Sequence, residues 1–183
     1  KSMIYLLNQY GLKPFDLTQS PISGGSLVIY FSKNQRVKSL ELISALATEE
    51  IKQTNKLNTW QNFSNDCIKH AKELKAIVED HKTKGPVIGY GASARSSTML
   101  NFAGLNNDVI DCIIDKNPLK HGKYTPGTNI PIISFEEGKK LFDKCRSILL
   151  LAWNFEKEIT EELRANGYKG SIIVPLPNVI RIK

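Results

Sequence analysis

The chain has 183 residues, with 25 Lys and Arg against 18 Asp and Glu, 41% hydrophobic and 23% charged residues. That balance excludes a disordered, collagen-like or disulfide-scaffold chain, and it leaves room for one sizeable core with an appended fragment. No apolar run approaches the ~20 residues that span a bilayer, and the short apolar patch over Lys1 to Asn8 is followed by no small-residue cleavage site. No membrane partner is expected, and the cytoplasm is the default compartment.

The formal charge of +7 is spread evenly: 12 basic and 8 acidic residues precede Gly85, and 13 and 10 follow from it. There is no arginine-rich tract and no interleaving of bases with stacking aromatics, so a nucleic-acid partner is not expected and a small anionic ligand is preferred. Cys67, Cys112 and Cys145 are spaced too widely for a CxxC site, so no metal is expected and all three read as buried structural thiols.

In chain order, Ser2 to Tyr10 suits a short helix stopped by Gly11. Lys13 to Ser20 and Ser26 to Ser32 are strand-like, with Pro21 and Gly24-Gly25 between them. A hairpin of this kind is not stable alone and must pack on something. Val37, Leu40, Ile43, Ala47 and Ile51 recur at helical spacing. A longer series follows from Trp60 through Phe63, Cys67, Ala71, Leu74 and Val78 to His81, with Asn58 and Gln61 as a capping box and Gly85-Pro86 as the stop.

From Gly85 onward strand and helix alternate. Strands are predicted over Pro86 to Tyr90, Val109 to Ile114, Pro131 to Ile133, Ser147 to Ala152 and Ser171 to Val174. Helices are predicted over Ala94 to Ala103, Phe135 to Lys144 capped by Ser134, and Phe155 to Ala165. Without hairpin turns between them, such elements form a parallel sheet with right-handed crossovers. The expected class is α/β, a Rossmann-like sheet in the order 3-2-1-4-5.

Ligands of open parallel sheets sit at the carboxyl ends of the strands. Four segments fall there. Gly89-Tyr90-Gly91-Ala92-Ser93-Ala94 is a G-x-G-x-x-A turn between strand and helix, where backbone can approach a phosphate at a helix amino end. Asp115 ends the next strand, where a dinucleotide fold places a ribose-hydroxyl acceptor. The long connection that follows carries Lys116, Asn117, Lys120, His121, Lys123 and Tyr124, and long connections of this sort are functional or mobile. Trp153-Asn154 closes the strand before the last helix, with Glu158 one turn into it. Each has a plain structural explanation as well: tight helix packing for the glycines, a solvated loop for the lysines, an N-cap for Asn154 and a dipole partner for Glu158. No triad order, HExxH or carboxylate pair stands out, so the residues by themselves point to a nucleotide-type phosphate ligand and no further.

Several ordered motifs carry a resemblance. Gly89-Tyr90-Gly91-Ala92-Ser93-Ala94-Arg95, Thr98-Met99-Leu100-Asn101, Asp115-Lys116-Asn117-Pro118, Lys120-His121-Gly122-Lys123-Tyr124-Thr125-Pro126-Gly127, Ile130-Pro131-Ile132, Leu151-Ala152-Trp153-Asn154-Phe155 and Ile173-Val174-Pro175-Leu176-Pro177 together resemble the C-terminal domain of the sugar C-methyltransferases. These are S-adenosylmethionine-dependent enzymes of deoxysugar biosynthesis. Gly24-Gly25-Ser26-Leu27 is similar to a His-Gly-Gly-Ser segment near the end of that family's methyltransferase domain.

The resemblance implies three parts: residues 1–33 as the tail of a truncated methyltransferase domain, 34–84 as a helical linker and 85–183 as the Rossmann-like C-terminal domain. It implies that a nucleotide-sugar is held between this domain and an upstream methyltransferase domain of the same polypeptide, and that S-adenosylmethionine belongs to that upstream domain, with no cofactor expected in this chain. The substrate-binding residues are then Gly89, Tyr90, Gly91, Ala92, Arg95, Asp115, Lys116, Asn117, Lys120, Tyr124, Trp153, Asn154 and Glu158. Ser23 stands where the family carries a histidine implicated as a base, and Ile22 at the acidic place before it, so no catalytic residue is assigned and the chain by itself is expected to be inactive. The alternatives are an NAD-dependent oxidoreductase domain, supported by Gly89, Gly91 and Asp115, and a structural module that binds nothing.

Overall fold

A computed structural model describes residues 1–21 and 25–182. The chain forms two compact units, Lys1–Asn65 and Asp66–Lys183. In the first, α1 (Ser2–Asn8) leads into an antiparallel pair, β1 (Lys13–Ser20) and β2 (Ser26–Ser32), and then α2 (Leu40–Ile51). Both strands have the bounds expected from their β-branched and aromatic content. Ser39 caps α2, accepting the Leu42 N–H at 3.2 Å. The apolar faces here are mostly uncovered: Leu17 and Leu42 are buried, while Leu27, Val28 and Tyr30 of β2 are exposed.

Helix α3 (Leu57–Lys82) runs across the boundary, and its buried residues, Ala71, Leu74, Val78 and His81, all belong to the second unit. It begins one residue before Asn58, which is therefore inside the helix and not its cap.

The second unit carries the sheet. Strands β3 (Val87–Tyr90), β4 (Cys112–Ile114), β5 (Ile132–Ile133), β6 (Ser147–Leu150), β7 (Ser171–Val174) and β8 (Ile180–Ile182) lie in the order β5-β4-β3-β6-β7-β8. The first five are parallel in the expected 3-2-1-4-5 order, a Rossmann-like α/β arrangement, and β8 adds an antiparallel edge beside β7.

Both faces are covered, which is why the strands read as continuous apolar runs. Successive side chains alternate. Val87, Ile113, Leu149 and Ile173 join Leu74 and Val78 of α3 and Leu100 of α4 (Ala94–Ala103) in one core. Ile88, Tyr90, Ile114, Ile148, Leu150 and Ile172 join Phe142, Tyr168 and, from α6 (Glu156–Ala165), Ile159 and Leu163 in the other. Burial pushes the Cys112 thiol up to about 12 and the Cys145 thiol up to about 11, so both are inert structural thiols. Cys67, on α3, is only partly buried.

Several elements are shorter than their apolar runs. Val109 and Ile110 belong to a turn closed on the Asn106 carbonyl, whose side chain also accepts the Asp108 N–H at 3.1 Å, so β4 starts at Cys112. Helix α5 (Phe135–Lys139) has the expected Ser134 cap, reciprocated by Glu137, but continues as three-residue turns to Lys144. Gly138 lets it lie against β4: a Cβ there would meet the Ile114 side chain at 2.3 Å.

Candidate functional site at the carboxyl edge of the sheet

The ends of β3, β4 and β6 meet at one edge. Gly91 has φ +97°, and a Cβ there would lie 2.6 Å from that of Ala152, so the turn after β3 and the turn after β6 touch backbone to backbone. Gly89 is different. It lies within β3, where a Cβ would meet the Ile113 and Leu151 side chains at 2.8 and 2.9 Å. Its lack of a side chain makes room for neighbouring strands and not for a ligand.

The N–H groups of the turn are already used. Gly91 donates to the Ile114 carbonyl at 2.8 Å, Ala92 to Asp115 Oδ2 at 2.8 Å and Ser93 to Ser96 Oγ at 2.6 Å. Ser93 caps α4 in a reciprocal box with Ser96. No described residue is bonded to the N–H groups of Ala94 and Arg95, which leaves these two to face an anion with the positive end of the helix. Arg95 is exposed, and with Ser93 it borders a small cleft of about 70 Å³ whose other wall is Ala152 to Phe155. Trp153 is half-buried and packs on the core behind it, whereas Phe155 is 59% exposed. Asn154 lies in a 3₁₀ turn over Trp153–Phe155 and caps nothing.

Asp115 is buried at the end of β4. Its Oδ1 accepts the Asn117 N–H at 2.8 Å, and its Oδ2 accepts the Ala92 N–H and, at 3.0 Å, the Lys120 ammonium. Lys120 also donates to the Ala92 carbonyl at 2.8 Å. Asn117 starts a 3₁₀ turn by accepting the Leu119 N–H. His121 is half-buried, and its Nε2 donates to the Asp115 carbonyl at 2.7 Å. The rest of the connection is tied as well: Thr125 bonds Thr128 and Ile130, and Asn101 of α4 donates to the Pro126 carbonyl at 3.0 Å. The long loop is thus an ordered wall, with Tyr124 61% exposed on it.

Tyr90 points away from this edge into the second core, and its hydroxyl donates to Glu162 Oε2 at 2.6 Å. Lys116 pairs with the other oxygen of Glu162 at 2.7 Å. Burial works to raise the Glu162 carboxyl, and the bonds from Lys116 and Tyr90 outweigh it and hold it below the ordinary glutamate value. Burial, aided by that carboxylate, pushes the Tyr90 phenol well above its usual range. Glu158 is exposed, and the acid of α6 that bonds Tyr90 and Lys116 is Glu162, one turn further on. Of the residues expected at the site, the structure brings together Gly91, Ala92, Arg95, Asp115, Asn117, Lys120, Trp153 and Asn154, pairs Lys116 with Glu162, leaves Tyr124 exposed on its loop, and sets Gly89 and Tyr90 behind the surface. Ile22 and Ser23 lie outside the described residues.

The model of the C-methyltransferase C-terminal domain matches residues 21–177. The chain belongs to that family. It is also 30% identical over 185 aligned positions to the C-methyltransferase NovU of Streptomyces niveus, a match covering 96% of this chain and 42% of the relative. The chain therefore spans less than half the length of the curated relative it matches. For a family whose name implies a methyl donor, the edge described here is a poor host to an adenosine ribose. The acidic residue at the end of β4 has both oxygens occupied by protein donors and offers no free acceptor to a ribose hydroxyl.

Proposed function

We propose that this chain is the substrate-binding part of an S-adenosylmethionine-dependent C-methyltransferase acting on a nucleoside-diphosphate keto-sugar, with the methyl donor held by a separate methyltransferase domain of the same polypeptide. The observation that supports it most is the convergence, at one sheet edge, of the α4 amino end, the Arg95 guanidinium and the cleft walled by Trp153, Asn154 and Phe155. A diphosphate would meet the Ala94 and Arg95 N–H groups and the Arg95 side chain. The base would lie against the aromatic wall, and Lys116 and Tyr124 would close the rim. Asp115 and Lys120 shape the turn beneath.

A partner domain is supported by β2, a strand with an apolar sequence and no buried residue, and by an open groove of about 950 Å³ between the hairpin and α2. Apolar strands left uncovered call for a covering surface. Cytoplasmic residence belongs to the same proposal. Among the described residues no helix is long and apolar enough to cross a membrane.

Calorimetric titration of dTDP, a dTDP-sugar and NAD into the chain tests the reading. The sugar nucleotide and dTDP should bind and NAD should not. Arg95→Ala should lose one charge-assisted contact, ~1.5 to 3 kcal/mol or about ten- to hundredfold in affinity. If Arg95→Ala and Lys120→Ala both leave the affinity unchanged, the assignment is wrong.

A further inference from the structure

We propose that Asp115 is a positioning residue that clips the glycine turn to the basic loop, and that the site in consequence does not read the 2′-hydroxyl of its ligand and takes ribo- and 2′-deoxyribonucleoside diphosphates alike. The second half rests on the nucleotide-sugar reading above. The first stands on geometry alone.

An acidic residue at the end of the second strand of such a sheet invites the role of ribose acceptor. To grip a ribose it must present its oxygens to the ligand, and Asp115 has only 8% of its surface exposed. All its polar groups are also engaged. The N–H donates to the Ile133 carbonyl, the carbonyl accepts from His121, and the two carboxylate oxygens share three donors, the Ala92 and Asn117 N–H groups and the Lys120 ammonium.

The partners belong to the two segments that frame the cleft. Ala92 is held from both sides, its N–H by Asp115 and its carbonyl by Lys120, at 2.8 Å each. Asn117 starts the loop that carries Lys120. One carboxylate thus fixes the turn that aims the α4 amino end and the loop that walls the site. Lys120, half-buried and bonded twice within the protein, acts with it as scaffold. Recognition is left to the phosphates and the base, with no acceptor assigned to the 2′ position.

Asp115→Asn probes this, because all three partners are donors and an amide offers one acceptor oxygen and one donating group. Whichever way the amide turns, a donor faces a donor. UDP and dUDP are the probes, since they differ only in the 2′-hydroxyl, and the amide resonances of Ala92 and Asn117 in the nucleotide-free chain report the clip directly. The wild-type chain should bind UDP and dUDP within about twofold of each other. Asp115→Asn should weaken both equally, by about ten- to hundredfold, and move both resonances. Lys120→Met opens the clip from the loop side. It should also weaken both ligands with the ratio preserved, which keeps the test alive if Asp115→Asn does not fold.

A wild-type preference of tenfold or more for UDP that vanishes in Asp115→Asn would make Asp115 a ribose acceptor and overturn the proposal. Unchanged resonances and affinities would overturn the clip. Should the wild-type chain bind neither nucleotide, the nucleotide reading falls together with the second half of the proposal, and the two resonances alone decide the first.

Discussion

Gly91 holds the site together by having no side chain. At φ +97°, with Ala152 Cβ 2.6 Å from where its own would stand, even alanine is strained twice, once by the backbone and once by a contact that only main-chain movement can relieve. Gly91→Ala should destabilise the second unit by at least about 1 to 3 kcal/mol, read as a lower midpoint in thermal unfolding. Gly89→Ala should be milder, because Gly89 lies in ordinary strand backbone and only side-chain carbons of Ile113 and Leu151 obstruct the new Cβ. Glu162 carries a pH signature. Its folded value lies below the ordinary 4.5, so its contribution to stability is complete above about pH 4.5 and is lost as the pH falls through the folded value. Glu162→Gln should therefore cost about 1 to 3 kcal/mol at pH 7 and show a smaller deficit in denaturant titrations at pH 3. Gly91 and Asp115 were legible in the sequence because a turn glycine and a strand-end acid announce themselves by position. Glu162 was not, because its partners Tyr90 and Lys116 are far away along the chain, and nothing local separates it from Glu158.

At the scale of elements, α3 brings a histidine into the core. His81 is buried and its Nδ1 meets no described partner. A helix carboxyl end favours a protonated imidazole, but here burial first, and then the positive charge of Arg181, outweigh Asp80 and hold His81 below its ordinary 6.5. The unfolded chain takes up this proton near 6.5 and the folded chain only at lower pH. Stability is full above about pH 6.5 and declines as the pH drops below it. His81→Leu should abolish that part of the slope in denaturant titrations between pH 7 and 5. Arg181 sits on β8, a strand the sequence hides. Ile180-Arg181-Ile182 offers a single alternation after a proline-containing turn, too short for a period to show. Strands β3, β5 and β7 were legible as apolar runs bounded by glycine, proline or a cap, and β4 and β6 as the apolar runs Cys112-Ile113-Ile114 and Ile148 to Leu151. Their ends were not, because Ile110 is as buried in a turn as it would be in a strand, with Val109 half-buried beside it. Asn154 misled for a related reason: a good capping residue stands in a 3₁₀ turn ahead of α6, whose first residue has no side-chain cap at all.

For the whole molecule, the question is whether this chain by itself can take a proton from carbon, the first step in alkylating a position next to a keto group. General base catalysis needs a group with a free lone pair within hydrogen-bond reach of the substrate. Among the described residues near the sheet edge the carboxylates are engaged. Asp115 has three donors and Glu162 is held ionised by Lys116 and Tyr90, whereas His121 donates from Nε2 to a backbone carbonyl, which fixes the tautomer whose Nδ1 keeps its lone pair. His70, on α3, spends its Nε2 on the Pro175 carbonyl at 2.6 Å. Glu158 is exposed to water on α6, with no described residue bonded to it that would orient it toward a carbon. With its carboxylates engaged, and no described carboxylate bonded to either imidazole to hold the imidazolium that proton transfer would form, the chain should orient a sugar nucleotide without activating it. Incubating the 183-residue chain with a keto-sugar nucleotide in deuterated water should therefore give no enzyme-dependent exchange at the carbon beside the ketone, with or without S-adenosylmethionine, even under conditions where calorimetry shows binding. Exchange above the buffer rate would mean that one of these groups acts as the base once the ligand is bound. His121→Gln and Glu162→Gln would then identify it, since only the variant lacking the base would lose the exchange while keeping the affinity.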